Sequence, residues 1–177
     1  MTDQYLTFFI RTEEYAVQIL RVKEIIEFER VTRVPSMPAH VRGVINLRGS
    51  VLPVIDLAAK FGHGESVPSR TTCIVVVETQ IDGELLVAGV IADAVSEVID
   101  LPAVQIEPPP PFGTNVRVDF LAGMGKLDGR LVLVLDLDRI LTPVEILEIA
   151  EAAAPDDEEI DEIDERAVSQ EALPAEA

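Results

Sequence analysis

Few residues in this chain combine the types and spacing that catalysis or metal binding demands. The two histidines, His40 and His63, lie in loop-like sequence beside prolines and glycines, and no second histidine or cysteine stands at ligand spacing from either. Surface histidine is therefore the reading of each, with no metal centre implied. Cys73 opens the apolar run "CIVVV" and reads as a small buried hydrophobe rather than a nucleophile. Asp56 and Asp136 suggest a carboxylate pair for acid–base work, but both follow matching "VI/VL" strand ends, and a turn or helix cap explains both. "GMGKLDG", Gly123 to Gly129, has glycines but lacks the Walker spacing and lies between two apparent strands, so it reads as a hairpin. No acid, base and nucleophile constellation and no cofactor motif emerges, which argues against a hydrolase or isomerase.

One stretch resists a purely structural reading. In "VINLRGSVLPVIDL", residues 44 to 57, a run of core-type residues is broken by Asn46 and Arg48 just before Gly49. A second copy of the stretch carries Lys126 and Asp128 at the same places, while a glutamate upstream is present in both copies, as Glu24 and Glu97. On this alignment only the first copy can pair its glutamate with the arginine. Such a pair contributes about 0 to 1 kcal/mol if fully exposed, whereas breaking a buried one costs about 3 to 5.

The elements that must position these residues are short strands. "YLTFFI", "YAVQI", "VLPVIDL", "TCIVVV", "LLVAGVIA" and "RLVLVLDL" alternate with turn-formers such as the Asp-Gly pairs at 82–83 and 128–129. The exception follows Thr142, where Thr-Pro-Val-Glu combines an N-cap, a proline at the first helical position and a capping-box glutamate. A helix is expected from there to about Ala154, ended by Pro155. A shift of 80 residues lays Gly43, Leu47, Gly49, Val54, Asp56 and Leu57 onto Gly123, Leu127, Gly129, Val134, Asp136 and Leu137. A shift of 73 lays Val22, Glu24, Ile26 and Pro35 onto Val95, Glu97, Ile99 and Pro108. The duplication predicts two small barrels related by an approximate twofold axis and sharing apolar surface; the first strand or the last helix can cross to the opposite unit, which periodicity does not decide.

With 177 residues the chain can bury a core without staples, and its single cysteine fits a reducing compartment. Its longest wholly apolar run, Leu85 to Ala92, is far shorter than the roughly 20 residues of a membrane span, so a cytoplasmic location is expected. The net charge of −18 argues against a nucleic-acid partner. Half of it sits after Pro155, where ten carboxylates face Arg166 alone, a solubilising tail by composition. The expected organisation is one domain over residues 1–154 followed by an acidic, disordered tail over 155–177.

The ordered set "EYAVQILRVKEII", "RVPSMPAHVRGVINLRGSVLPVIDLAAKFG", "GVIADAVSEVIDL", "QIEPPPPFG" and "FLAGMGKLDGRLVLVLDLDRIL" closely resembles the CheW family of chemotaxis coupling proteins over about residues 4 to 150. The resemblance implies two pseudo-symmetric five-stranded SH3-like β-barrels around a shared core. It implies a non-enzymatic adaptor, without cofactor, that joins methyl-accepting chemoreceptors to the histidine kinase CheA at the inner face of the membrane. Residue by residue, Val22, Glu24, Asn46 and Arg48 match the family's receptor-binding positions, and Phe112, with Glu107 nearby, matches a kinase or array contact. Pro108 to Pro111 would stiffen the stem before Phe112. The acidic tail is a departure from the familiar pattern. The nearest alternative is a free-standing regulatory domain of the CheA kind, disfavoured by a first strand that starts three residues after Met1, or an adaptor of a non-flagellar pathway; a nucleic-acid-binding barrel is disfavoured by charge.

Overall fold

The computed structural model describes residues 2–81, 83–108 and 118–141. Eleven strands alternate with two single-turn helices: β1 (Thr2–Ile10), β2 (Glu13–Gln18), β3 (Val22–Glu27), β4 (Val41–Leu47), β5 (Ser50–Ile55), α1 (Leu57–Lys60), β6 (Cys73–Ile81), β7 (Glu84–Ala92), β8 (Ala94–Pro102), β9 (Ile106–Glu107), β10 (Leu121–Leu127), β11 (Arg130–Leu135) and α2 (Leu137–Ile140). They form two sheets. The central one has the order β3-β6-β7-β5-β4, and the other, built from both ends of the chain, has the order β8-β1-β2-β11-β10-β9.

The duplication read in the sequence holds to the level of register. In the β4–β5 hairpin Val41 faces Ile55 and Leu47 faces Ser50, with a bulge before Gly43; in the β10–β11 hairpin Leu121 faces Leu135 and Leu127 faces Arg130, with a bulge before Gly123. Asp56 and Asp136 are the caps of the helices that follow, accepting from the Ala59 and Asp138 amides at 3.4 and 3.1 Å. The offset of 73 holds as well, since Val54 pairs in parallel with Gly89 as Val134 pairs with Ala16.

Two features go beyond the sequence reading. The β1–β2 hairpin crosses over to complete the barrel of the C-terminal strands, which we call the terminal barrel, while β3 to β7 form the central barrel without a break. The terminal barrel also gains a sixth strand, the two-residue β9, whose Glu107 faces Met124. Its counterpart in the central barrel is one isolated bridge from Thr32 to Val44. Glycine is required at both crossings: a Cβ on Gly43 would stand 2.1 Å from the Thr32 carbonyl oxygen, and one on Gly123 would stand 2.8 Å from that of Glu107.

Each barrel has a small core of its own, Tyr5, Ile99, Leu101 and Val132 in one and Ile45, Leu52, Ile74 and Ile91 in the other. A larger shared core lies between them. An aromatic file crosses it, with ring centroids 6.2 Å apart from Phe8 to Tyr15, 5.4 Å from Tyr15 to Phe61 and 5.7 Å from Phe61 to Phe120. Burial of this apolar surface is what holds the barrels at a fixed mutual angle.

Asp56 does more than cap. Fully buried, it accepts from the Ser66 amide and hydroxyl at 2.8 and 2.7 Å and from Arg42 at 3.3 Å, which ties the 61–72 loop to the hairpin. Cys73, the first residue of β6, is half-buried rather than fully buried; its Sγ donates to the Thr71 carbonyl at 3.3 Å, and burial, then the charge of Glu27, pushes its thiol above the usual range. His40 and His63 are likewise half-buried. The expected helix after Thr142, the acidic tail and Phe112 lie outside the described residues.

Candidate functional site

Arg48 does not interrupt a strand. It is the first central residue of the two-residue β4–β5 turn, with φ 51° at Arg48 and 87° at Gly49, the geometry of a type I′ hairpin. Asn46 fastens that turn by accepting from the Gly49 amide at 2.9 Å. From the tip the guanidinium reaches Glu24 on β3 with both terminal nitrogens, at 3.1 and 2.8 Å. This hydrogen bonding, then the carboxylate's charge, raises the Arg48 pKa above its ordinary value. Because β3 and β4 are the two outer strands in the sheet order, the pair bridges the seam of the central barrel. That answers why a cation stands before the glycine.

Beside the pair the barrel end is open. A cleft of about 640 Å³ has Leu47, Leu52, Val76 and Val87 as its floor and Val51 and Leu85 at its lip, with Lys23, Glu24 and Arg48 on its rim. Leu85 and Val51 are unusually exposed for large aliphatic residues, at 63 % and 47 %. Of the four residues that the family resemblance implies for receptor binding, the structure joins Glu24 to Arg48 and places Asn46 on the same turn. Val22 sits half-buried against the shared core and is not among the cleft's lining residues. Glu107 is exposed on β9 and lies 3.7 Å from Lys126. Leu85 escaped sequence reading, although an apolar pair one residue past an Asp-Gly turn, after Glu84, is the signal that could have found it.

The expectation that only one copy pairs its glutamate with an arginine is wrong. Glu97 meets Arg130 at 2.7 Å, and Arg130 also holds Glu14 at 2.9 Å. The arginine has moved two residues, from the tip of the turn to the first residue of the next strand, so a position-by-position comparison of the copies overlooks it. Among the described residues no group of three or more His, Cys, Asp or Glu could hold a metal ion, and no helix is long and apolar enough to cross a membrane.

The architecture is that of a duplicated SH3-like double barrel, all-β apart from its short helices. The chain belongs to the CheW-like domain family, whose model matches residues 4–145. It is 37 % identical over 145 residues to the chemotaxis protein CheW of Klebsiella aerogenes, covering 81 % of this chain and 84 % of that one. It is 31 % identical over 128 residues to the protein FrzA of Myxococcus xanthus, covering 72 % and 76 %. The crystal structure of the scaffolding protein TtCheW from Thermoanaerobacter tengcongensis superposes with a TM-score of 0.69 at 36 % identity, over 77 % of this chain and 86 % of that one.

Proposed function

We propose that this chain is a non-enzymatic cytoplasmic adaptor that couples methyl-accepting chemoreceptors to the histidine kinase CheA at the inner face of the membrane. The observation that carries the reading is the seam pair of Glu24 and Arg48 standing over an open apolar barrel end, on a body whose two barrels share one core. Coupling of this kind needs no bond chemistry, only two surfaces held at a fixed separation. The receptor is assigned to Glu24, Asn46 and Arg48, with Val22 as a further contact, and the kinase regulatory domain to Glu107, with Phe112 as the contact that the family resemblance implies. Family membership supports the reading, and so does the sequence's lack of a catalytic constellation.

The test is a paired binding measurement of the full chain against a receptor cytoplasmic fragment and a CheA regulatory domain, followed by kinase activity in the presence of both. Binding to each, and activity that rises only when all three are mixed, is the expected result. Failure to bind either one sinks the adaptor reading.

A further inference from the structure

The two barrels place a glutamate at the same point and complete it differently. In the terminal barrel Arg130 is held by two carboxylates: its Nη2 donates to Glu97 at 2.7 Å and its Nε meets Glu14 at 2.9 Å, with the Glu14 side chain only 5 % exposed. Beside them the Thr7 hydroxyl donates to the Glu97 carbonyl at 3.0 Å. The strand pairings fix what stands at these places in the central barrel. Thr7 faces Ala16, which pairs with Val134, as Val76 faces Gly89, which pairs with Val54; Glu14 therefore corresponds to Val87 and Thr7 to Val76.

The end that polar groups occupy in one barrel is thus left apolar and open in the other. Its arginine is also half-used. Arg48 spends Nη1 and Nη2 on Glu24, makes no hydrogen bond through Nε among the described residues, and is 74 % exposed. A guanidinium has five donors in a planar fork and can hold a second carboxylate on its free edge, as Arg130 does within this same chain.

We infer that the partner supplies what the central barrel lacks: a carboxylate for the free edge of Arg48 and, on the same segment, a large apolar side chain that enters the cleft between Val51, Leu85 and Val87. The occupant is a helical stretch of the receptor's cytoplasmic region with its acidic and apolar residues one turn apart, a spacing that puts both on one face. Lys23, the other cation on the rim, already faces Glu78 at 3.8 Å, so Arg48 is the cation that the acid meets. This assignment rests on the adaptor reading above and specifies the chemistry of its receptor site.

Three variants test it against a receptor cytoplasmic fragment, with the kinase regulatory domain as a parallel titration. Leu85→Asp charges the exposed lip, Arg48→Lys keeps the charge but has no second edge, and Val87→Glu installs the terminal barrel's own carboxylate. Each is expected to weaken receptor binding by about tenfold while kinase-domain affinity stays within about twofold. Leu85→Asp, at a position that leaves the core untouched, carries the test if Val87→Glu does not fold. Wild-type receptor affinity in both Leu85→Asp and Arg48→Lys overturns the inference and leaves the adaptor reading standing. Lost kinase affinity with intact receptor affinity overturns the occupant. If the unaltered chain binds no receptor fragment, the adaptor reading falls first and takes this one with it.

Discussion

Lys60 and Ile140, 80 residues apart, occupy the same position in the two repeats and touch each other: the Lys60 ammonium donates to the Ile140 carbonyl at 2.6 Å. The approximate twofold axis passes between them, and the contact joins the end of α1 to the end of α2. The same ammonium lies 5.6 Å from the centroid of the Phe120 ring, so the link is also seated on the aromatic file of the shared core.

Lys60→Met keeps the aliphatic stem and removes the donor, which leaves the Ile140 carbonyl short of a partner at the barrel junction. A loss of about 1 to 3 kcal/mol of folding stability is expected, read from urea unfolding monitored by tyrosine fluorescence. An unchanged midpoint would show that the contact carries no weight.

The two capping aspartates should differ sharply. Asp136 is 29 % exposed and pairs with Arg139, so Asp136→Ala is expected to cost about 1 kcal/mol, the value of a cap. Asp56 is completely buried and leaves behind Arg42, itself only 13 % exposed, so Asp56→Ala is expected to cost about 3 to 5 kcal/mol. Equal losses would mean that the Ser66 and Arg42 contacts add nothing to the cap.

Two glycines with left-handed φ separate strain from collision. Gly49, φ 87°, has no atom within 4 Å of a built Cβ, so Gly49→Ala is expected to cost about 1 kcal/mol. Gly43, φ 144°, meets the Thr32 carbonyl oxygen at 2.1 Å, and Gly43→Ala is expected to cost more than about 4 kcal/mol or abolish the fold. Thermal unfolding by circular dichroism distinguishes them.

Arg48→Glu sets two carboxylates face to face across the seam. Arg48 itself is 74 % exposed, although Glu24 is only 26 % exposed, so the protein is expected to fold while receptor binding falls by about tenfold, more than kinase binding does. Exchanging both residues, Glu24→Arg with Arg48→Glu, restores attraction but moves the guanidinium off the turn. Full recovery of receptor binding in the exchanged protein would show that mutual pairing is the whole effect; partial recovery is expected, because the partner's carboxylate needs the cation at position 48.

How far the sequence could be read depended on whether a feature was local. The hairpin turns, their glycines and the aspartate caps are set by a few adjacent residues and were visible, including the repeat that relates them. The crossover of β1–β2 was not, because whether Tyr15 meets Leu133 or a residue of the central barrel depends on packing across more than 100 positions. Glu24 and Arg48 were recognisable as a pair because the turn delivers the arginine directly. The Glu97, Arg130 and Glu14 cluster was missed because its arginine lies outside the matched motif and Glu14 enters from the crossing hairpin. The apolar cleft escaped for the same reason: Leu85 and Val51 look like core in a one-dimensional pattern, and only the barrel's curvature exposes them.

The crossover also sets an order of events during synthesis. Strands β3 to β7 are contiguous, so the central barrel can close once Ala92 has cleared the ribosome. The β1–β2 hairpin emerges first yet finds its last partner only at β11, more than 100 residues later. At about 5 to 20 residues per second that is a wait on the order of ten seconds with the apolar faces of Phe8 and Tyr15 unclaimed. A nascent chain stalled after Ala92 has cleared the ribosome but before β11 has done so is therefore expected to resist protease over 22–92 and to be cleaved within 2–18, which marks the N-terminal hairpin as the segment a holding chaperone would meet.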